Sequence, residues 1–398
     1  MSDRLKFFRK LMSAFEGTSN PQRAVERGFY INLPNNPVGD ITGKVALRPS
    51  SVHLLSGGIG SGKTTQLLLT QSALNELEDI KAIYIDVSLV TDISDLKSGA
   101  LIAIAGLELI KILDGFNESK LKKYKEIIEN SAYGYNETKY IDLKTSMIYS
   151  EEVHRKGLLS SNKQENKHLL TQALINLNKA IKEKTGKEIV VIFDGLDRLS
   201  DSKVFIDSAL DDVLEIKNIG IGSVLVGSVV TIYKERENIT SLDSSSYYLP
   251  YLDVLEDVAA RKFFTDVLTV RDPENFIASD VRVSLISKSG GVLRDLMSLC
   301  QAAIEDAYVD GSDQITEQHA NQAVLAMARS KLIGLTDSNM DVLRKVMTEV
   351  SFSPRTSEDS ELLLTGHILE YRYPRQRFVV HPILVPRIER MVASVANG

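Results

Sequence analysis

The stretch from His53 to Thr65, "HLLSGGIGSGKTT", decides the fold. Residues 57–64 fit the pattern G-x-x-x-x-G-K-[ST]. An apolar run predicted as a strand precedes them, and a predicted helix over residues 63–77 follows. Glycines let a loop turn its N–H groups inward, and the helix N-terminus adds a partial positive charge. The stretch therefore predicts a loop that binds the phosphates of a nucleotide, and a glycine-rich structural turn is the alternative.

Each residue type in this loop has a predicted role. Lys63 would reach the β and γ phosphates and take part in catalysis, Thr64 would bind Mg²⁺ through its hydroxyl, and Thr65 would lie near the α phosphate. The predicted nucleotide-binding residues of the loop are Gly58, Gly60, Ser61, Gly62, Lys63, Thr64 and Thr65.

A second motif, "EIVVIFDGLDRL" at residues 188–199, places Asp194 directly after an apolar strand. A carboxylate there can hold a water on Mg²⁺, so Thr64 and Asp194 are the predicted metal residues. Gly195 occupies the position where many mechanical ATPases carry a glutamate that activates water. Asp197 is a candidate for orienting that water, and a capping or Arg198-pairing role is its alternative.

The composition is that of a globular protein, with 398 residues, 43% hydrophobic and 25% charged. A net charge of −6 does not favour a protein that coats nucleic acid. The single cysteine, Cys300, excludes a disulfide framework and a cysteine-rich zinc site. No secretory signal and no membrane-spanning apolar run is visible, which predicts a cytoplasmic location without a membrane partner.

The pattern along the chain predicts an α/β fold with a parallel sheet, followed by helical segments. Predicted strands are 51–55, 81–88, 188–195 and 221–230, and predicted helices between them are 63–77, 92–113, 164–185 and 202–216. The predicted domains are an N-terminal helix and arm (1–35), a P-loop NTPase core (36–250) with an insertion (114–162), a helical lid (251–333) and a reduced winged-helix-like domain (334–398). The lid helices are 254–269, 278–288, 291–309 and 315–330, and the last domain has helices 337–350, 358–364 and 383–394 around a hairpin.

The strand end "DGLDRL", the phosphate loop, the lid and the winged helix together resemble STAND-type signalling NTPases, relatives of the origin-recognition branch of AAA+ ATPases. The resemblance implies ATP and ADP as ligands and a polar γ-phosphate sensor at Ser228. It also implies a second sensor at Arg294, in "KSGGVLRDLMSLC", and a resting-state diphosphate contact at His381, in "RFVVHPILVPRI". Pro382 stands where the family has an acid. The plainer alternatives are a serine at a strand end, a surface arginine and a core histidine.

The resemblance implies a slowly hydrolysing switch, the ATPase subunit of a multiprotein prokaryotic anti-phage defence system. Its effector or sensor would be a separate protein or the insertion, and it would form a homo-oligomer; Arg236 is the nearest candidate arginine finger. The alternative is a DNA-associated AAA+ ATPase, of replication-initiator or transposition-regulator type. Acids in "SEDSELLL" argue against base contact, whereas three wing arginines permit backbone contact: Arg372, Arg375 and Arg377.

Overall fold

The computed structural model describes residues 3–16, 21–113, 119–133, 135–140, 150–155, 164–199, 201–235, 237, 239, 245–349 and 352–396. The strands are β1 (Val52–Gly57), β2 (Ile80–Asp86), β3 (Tyr135–Tyr140), β4 (Ser150–Arg155), β5 (Glu188–Asp194), β6 (Gly222–Ser228), β7 (Ser246–Leu249), β8 (Ile368–Tyr371) and β9 (Arg377–Val380). Helices before β6 are α1 (Asp3–Phe15), α2 (Pro21–Glu26), α3 (Val38–Leu47), α4 (Lys63–Asn75), α5 (Val87–Val90), α6 (Ala100–Leu113), α7 (Ser119–Tyr133), α8 (Gln164–Thr185), α9 (Ser202–Val204) and α10 (Asp211–Asn218). Those after it are α11 (Val229–Lys234), α12 (Val258–Arg271), α13 (Ser279–Lys288), α14 (Leu293–Asp310), α15 (Glu317–Leu332), α16 (Asp337–Thr348), α17 (Ser357–Leu364) and α18 (Val385–Ala396).

The central sheet has five strands in the order β2-β5-β6-β1-β7. Strands β2, β5 and β6 pair in parallel, and β5 is buried along nearly its whole length. This explains its continuous apolar sequence, because both faces of a parallel sheet are covered. The pairing of β2 with β5 ends at Asp86 opposite Asp194, so the two carboxylates lie at the same edge of the sheet. The α/β core with a parallel sheet, predicted from the sequence, is confirmed.

The predicted helix over residues 92–113 is wrong in its first turns. The chain instead forms a short 3-10 turn at Ile93–Asp95, and α6 begins at Ala100. Asp212 explains the break, because its buried carboxylate accepts hydrogen bonds from the N–H groups of Gly99 (2.6 Å) and Leu101 (3.0 Å). A partner from a distant helix therefore sets where α6 starts, which local periodicity does not reveal.

The chain divides into two compact units. One comprises Val38–Leu55 and Leu69–Tyr247, and its core packs helices α6, α8 and α10 around strands β2, β5 and β6. Helix α7, from the segment predicted as an insertion, contributes Leu121, Ile128 and Ala132 to this core. The rest of that segment lies outside the described residues, apart from the hairpin β3–β4.

The other unit comprises Met1–Pro37, Ser56–Leu68 and Tyr248–Gly398. It holds the phosphate loop, helices α12 to α15, and the order helix, helix, hairpin, helix made by α16, α17, β8–β9 and α18. Helix α1 packs in this unit through Phe8, whose ring lies 5.1 Å from that of Phe276. None of the helices that the structure describes is long and apolar enough to cross a membrane.

His53 in β1 makes folding stability depend on pH. Burial, and then the charges of Lys44 and Arg48, lower the pKa of His53 to about 4 from 6.5. Between these two pKa values, His53 is protonated in the unfolded chain but not in the folded chain. The free energy of unfolding therefore decreases as pH falls from 6.5 towards 4. We expect this group alone to remove about 2 kcal/mol from the free energy of unfolding between pH 7.5 and pH 5.0.

Urea unfolding at the two pH values measures this effect. The His53→Gln variant should lose about 2 kcal/mol less stability than the parent chain on acidification. His367 and His381 also have lowered pKa values, owing to burial, but they are common to both chains. The same pH dependence in parent and variant would contradict the assignment.

Candidate nucleotide site

The phosphate loop has the backbone that its glycines predict. Gly60 and Gly62 have φ values of 84° and 99°, in the left-handed region that favours glycine, and α4 begins at Lys63. The Lys63 side chain is buried and its ammonium group donates hydrogen bonds to the carbonyls of Gly57 (3.0 Å) and Gly58 (2.8 Å). The loop therefore holds its cation close to the backbone that would surround the phosphates.

Two of these glycines lie against side chains from the C-terminal part of the same unit. A Cβ on Gly58 would lie 2.2 Å from the Tyr251 ring, and one on Gly60 would lie 2.8 Å from Arg294 Cβ and 3.0 Å from Val292. The Tyr251 hydroxyl also donates a hydrogen bond of 2.9 Å to the carbonyl of Ile59. The phosphate loop thus packs against the C-terminal part of the unit at Gly58 and at Gly60. Only glycine fits at these two positions.

An apolar cluster continues from these contacts to the hairpin. Tyr251 and Val292 pack with Leu369 and Tyr371 of β8, and all four are buried. The Tyr371 hydroxyl donates a hydrogen bond of 2.7 Å to the carbonyl of Gly290. We name Tyr251, Val292, Leu369 and Tyr371 the coupling cluster, because it connects the phosphate loop to the C-terminal hairpin by direct packing.

The predicted second sensor, Arg294, lies in the first turn of α14 beside Gly60. Its side chain is exposed. Within the part of the chain that the structure describes, its guanidinium has neither a carboxylate partner nor a hydrogen-bond acceptor. This placement leaves its charge available to an anion at the loop.

His381 is fully buried at the end of the hairpin, next to the same helix. Its Nε2 atom lies 3.0 Å from Oδ2 of Asp295, which also lies 3.1 Å from the Lys331 ammonium. The Ile383 N–H points at Nδ1 (3.4 Å), so the neutral ring carries its proton on Nε2, facing Asp295. Burial raises the pKa of Asp295, but the contacts with His381 and Lys331 outweigh it and the net direction is down.

The two atoms are close, but neither Nε2 of His381 nor Oδ2 of Asp295 forms a hydrogen bond with a described residue. Burial is the largest influence on the pKa of His381 and lowers it, although Asp295 acts in the opposite direction. Pro382 packs with its ring against Gly290: a Cβ on Gly290 would lie 2.8 Å from Pro382 Cδ. For His381 to contact a diphosphate, its ring must leave Asp295.

In the other unit, the carboxylate of Asp194 is buried at the end of β5 and held from two sides. The Gly195 N–H donates to Oδ1 (2.7 Å), and the Tyr84 hydroxyl on the neighbouring strand β2 donates to Oδ2 (2.7 Å). Burial, and then the negative charge of Asp194, raise the pKa of Tyr84, so the phenol keeps the proton that it donates. Sequence analysis did not find Tyr84, since only the strand pairing brings it to Asp194.

Three further predicted residues have plainer surroundings. Ser228 caps α11, where its hydroxyl accepts the Thr231 N–H (3.2 Å) and contacts the Thr231 hydroxyl (2.9 Å). Asp197 lies half-buried in a 3-10 turn directly after β5. Arg236, the candidate finger, lies outside the described residues.

The wing arginines, which sequence analysis offered as contacts for nucleic acid, already have carboxylate partners. Arg377 forms two bonds of 2.7 Å with Asp253, and Arg375 forms bonds of 2.7 and 3.0 Å with Glu256. Arg372 pairs with Glu370 at 2.9 Å. Their charges are balanced within the unit, which weakens the case for binding DNA phosphates through the wing.

The residues fit a nucleotide with Mg²⁺. The Ser61 hydroxyl is buried in the loop and has no hydrogen-bond partner among the described residues. Such an orphaned polar group suits a phosphate oxygen, as does the N-terminus of α4, which follows the loop directly. The Thr64 hydroxyl and the Asp194 carboxylate are hard oxygen ligands of the kind Mg²⁺ prefers.

The five-stranded α/β core and the phosphate loop define the class: this is a P-loop NTPase fold. More particularly, residues 38–210 match the KAP family P-loop domain. A search of curated proteins found no match to the chain.

Solved structures with a similar arrangement include two ORC proteins and a Cdc6p protein. The Aeropyrum pernix ORC1 protein in complex with DNA is 14% identical, with a TM-score of 0.46 over 96% of this chain and 97% of that chain. The ADP form of the Aeropyrum pernix ORC2 protein is 15% identical, with a TM-score of 0.44 over 92% and 96%. Cdc6p from Pyrobaculum aerophilum is 12% identical, with a TM-score of 0.42 over 93% and 95%. Likeness at this level says nothing of what this chain binds.

Proposed function

We propose that this chain is an ATP-binding molecular switch that hydrolyses its nucleotide slowly. The observation that carries the proposal is the coupling cluster, which connects the phosphate loop to the C-terminal hairpin. A ligand shifts an equilibrium between two arrangements only by the difference in its affinity for them. Phosphates that contact the loop act on the C-terminal elements through Tyr251 and Val292, so a γ phosphate can supply that difference.

The proposed roles come from the phosphate-loop motif and from the resemblance. Lys63 binds the β and γ phosphates, and Thr64 and Asp194 hold Mg²⁺. Arg294 binds the γ phosphate from the first turn of α14. When the γ phosphate is present, Arg294 turns towards it and moves the first turn of α14, which also carries Asp295. His381 follows through its contact with that carboxylate.

In the ADP state the proposal assigns His381 to the diphosphate. That contact exchanges the partner of the ring from Asp295 to phosphate. Ser228 is proposed as the γ-phosphate sensor of the core, which requires its hydroxyl to leave the α11 cap. Asp197 is the residue that the motif proposes for orienting the attacking water.

The STAND-type and winged-helix assignments and the biological role rest on the resemblance alone. From the resemblance we propose that the chain is the ATPase subunit of a multiprotein prokaryotic anti-phage system. It would be a cytoplasmic homo-oligomer that acts with a separate effector or sensor protein. The DNA-associated alternative is less well supported, since Arg372, Arg375 and Arg377 are paired with carboxylates. A salt titration of binding to random duplex DNA tests it, because contacts with phosphates weaken steeply with salt.

Turnover by the isolated chain tests the switch proposal. A switch must keep its nucleotide long enough for its state to act on a partner, so we expect multiple-turnover hydrolysis on the order of 10⁻² s⁻¹ or slower, as in switch NTPases that await a completing partner. Release of radiolabelled phosphate from γ-labelled ATP, with Mg²⁺ in excess, measures the rate. Turnover at tens per second would identify a mechanical ATPase that hydrolyses ATP continuously, and would contradict the proposal.

A further inference from the structure

Gly195 leaves no room for the side chain that many ATPases carry at this position. Its φ is 83°, and a Cβ there would lie 2.6 Å from Oδ1 of Asp86 and 3.1 Å from the Ser88 hydroxyl. The volume into which a residue-195 side chain would project is thus occupied by a carboxylate from the neighbouring strand. A carboxylate of the neighbouring strand therefore lies directly beside the position where many ATPases carry the glutamate.

Asp86 is positioned by the sheet. It is the last residue of β2 and lies opposite Asp194 in the register of β2 with β5. Its Oδ1 accepts hydrogen bonds from the N–H (3.0 Å) and hydroxyl (2.6 Å) of Ser88, which fix the carboxylate. Among the described residues, its Oδ2 has no hydrogen-bond partner. One oxygen is thus held in place and the other is available.

From this geometry we infer that Asp86 positions the attacking water and accepts its proton, so that β2 supplies the group that Gly195 lacks. The inference rests on the proposed function and adds a catalytic residue to it. The water oxygen forms a bond to the γ phosphorus, the bond from that phosphorus to the β–γ bridging oxygen breaks, and its electron pair leaves on ADP. The proton of the water passes to Asp86 and then to the phosphate that is released.

Asp86→Asn tests the assignment with little disturbance of the fold. Asparagine caps helices about as well as aspartate and can accept the same Ser88 hydrogen bonds, so only the charge and basicity are removed. We expect hydrolysis to fall by about 100-fold or more, within the range of general-base contributions. The dissociation constant of a fluorescent ATP analogue and the melting temperature should stay near those of the parent chain.

Asp92 provides a matched control. Its Oδ1 accepts hydrogen bonds from the N–H (3.0 Å) and hydroxyl (2.6 Å) of Ser94, with the same geometry as Asp86 and Ser88, but it caps an exposed 3-10 turn. Asp92→Asn should therefore hydrolyse ATP at the parental rate. A purely structural role for Asp86 would give the two variants the same phenotype.

The outcomes separate the inference from the proposed function. Loss of hydrolysis in Asp86→Asn with nucleotide binding retained, while Asp92→Asn hydrolyses ATP at the parental rate, supports the inference. An Asp86→Asn variant that hydrolyses ATP at the parental rate overturns the inference, whatever the activity of Asp197→Asn. The proposed switch is not affected by that result. A parent chain that binds no nucleotide, or that binds it and hydrolyses none, overturns the proposed function together with this assignment.

Discussion

Replacing Lys63 by alanine should weaken nucleotide binding by about 100-fold or more. The ammonium group is buried in the phosphate loop, and no nearby side chain of the loop can replace its charge. Loss of one partner from a buried charged contact costs about 3 kcal/mol or more, which corresponds to about 100-fold in affinity. Titration of the chain with a fluorescent ATP analogue in the presence of Mg²⁺ measures the change.

The control for this variant is Lys81→Ala, which removes an exposed lysine from β2 of the same sheet. Its affinity should match that of the parent chain. Because Lys63 also donates to the carbonyls of Gly57 and Gly58, a thermal melt must show that Lys63→Ala is folded. A folded Lys63→Ala chain that binds ATP as tightly as Lys81→Ala would show that nucleotide does not bind at this loop.

Asp194→Asn should separate binding from hydrolysis. An amide keeps the shape of the side chain and can still accept the Tyr84 hydroxyl, but it removes the negative charge proposed to hold Mg²⁺ and its water. We expect ATP affinity within a fewfold of the parent and hydrolysis reduced by about 100-fold to 1000-fold, as when one electrostatic contact to the transition state is removed. Single-turnover hydrolysis of bound ATP separates the chemical step from product release.

Two further variants define what Asp194 does. Tyr84→Phe leaves the carboxylate in place but removes a hydrogen bond that orients it, so hydrolysis should fall by about tenfold, in line with the effect of losing a partner that positions a metal ligand. Asp79→Asn removes an exposed carboxylate just before β2, at the opposite edge of the sheet, and should have no effect. An Asp194→Asn chain that hydrolyses ATP as fast as Asp79→Asn would exclude Asp194 from the reaction.

Local sequence patterns predicted much of the fold, because the decisive signals lie in short stretches. The phosphate loop, the buried strand that ends at Asp194 and the helices after residue 250 appear where periodicity and glycine placement indicate. Helix α8 ends at Thr185, as the sequence predicts. Strand β7 was missed, since its four residues carry too little pattern to separate them from a loop.

The side-chain partners could not be predicted, because they depend on strand register and on packing between distant segments. Tyr84 reaches Asp194 across 110 residues of sequence, and Tyr251 reaches Ile59 across 192. Asp86 carries the same signal as Asp194, an acid at the end of an apolar strand, and could have been found by applying that test to β2. Nothing in the sequence shows that its carboxylate fills the space beside Gly195.

The central claim is that the γ phosphate, acting at the loop, changes the elements joined by the coupling cluster. Hydrogen exchange of the full chain with Mg²⁺ and either ADP or the slowly hydrolysed analogue ATPγS measures this directly. We predict that exchange in residues 289–296 and 367–383 differs by about tenfold between the two nucleotides, a difference of about 1.4 kcal/mol, and that Arg294→Ala removes most of the difference. Equal exchange of these segments with both nucleotides bound would contradict a nucleotide switch.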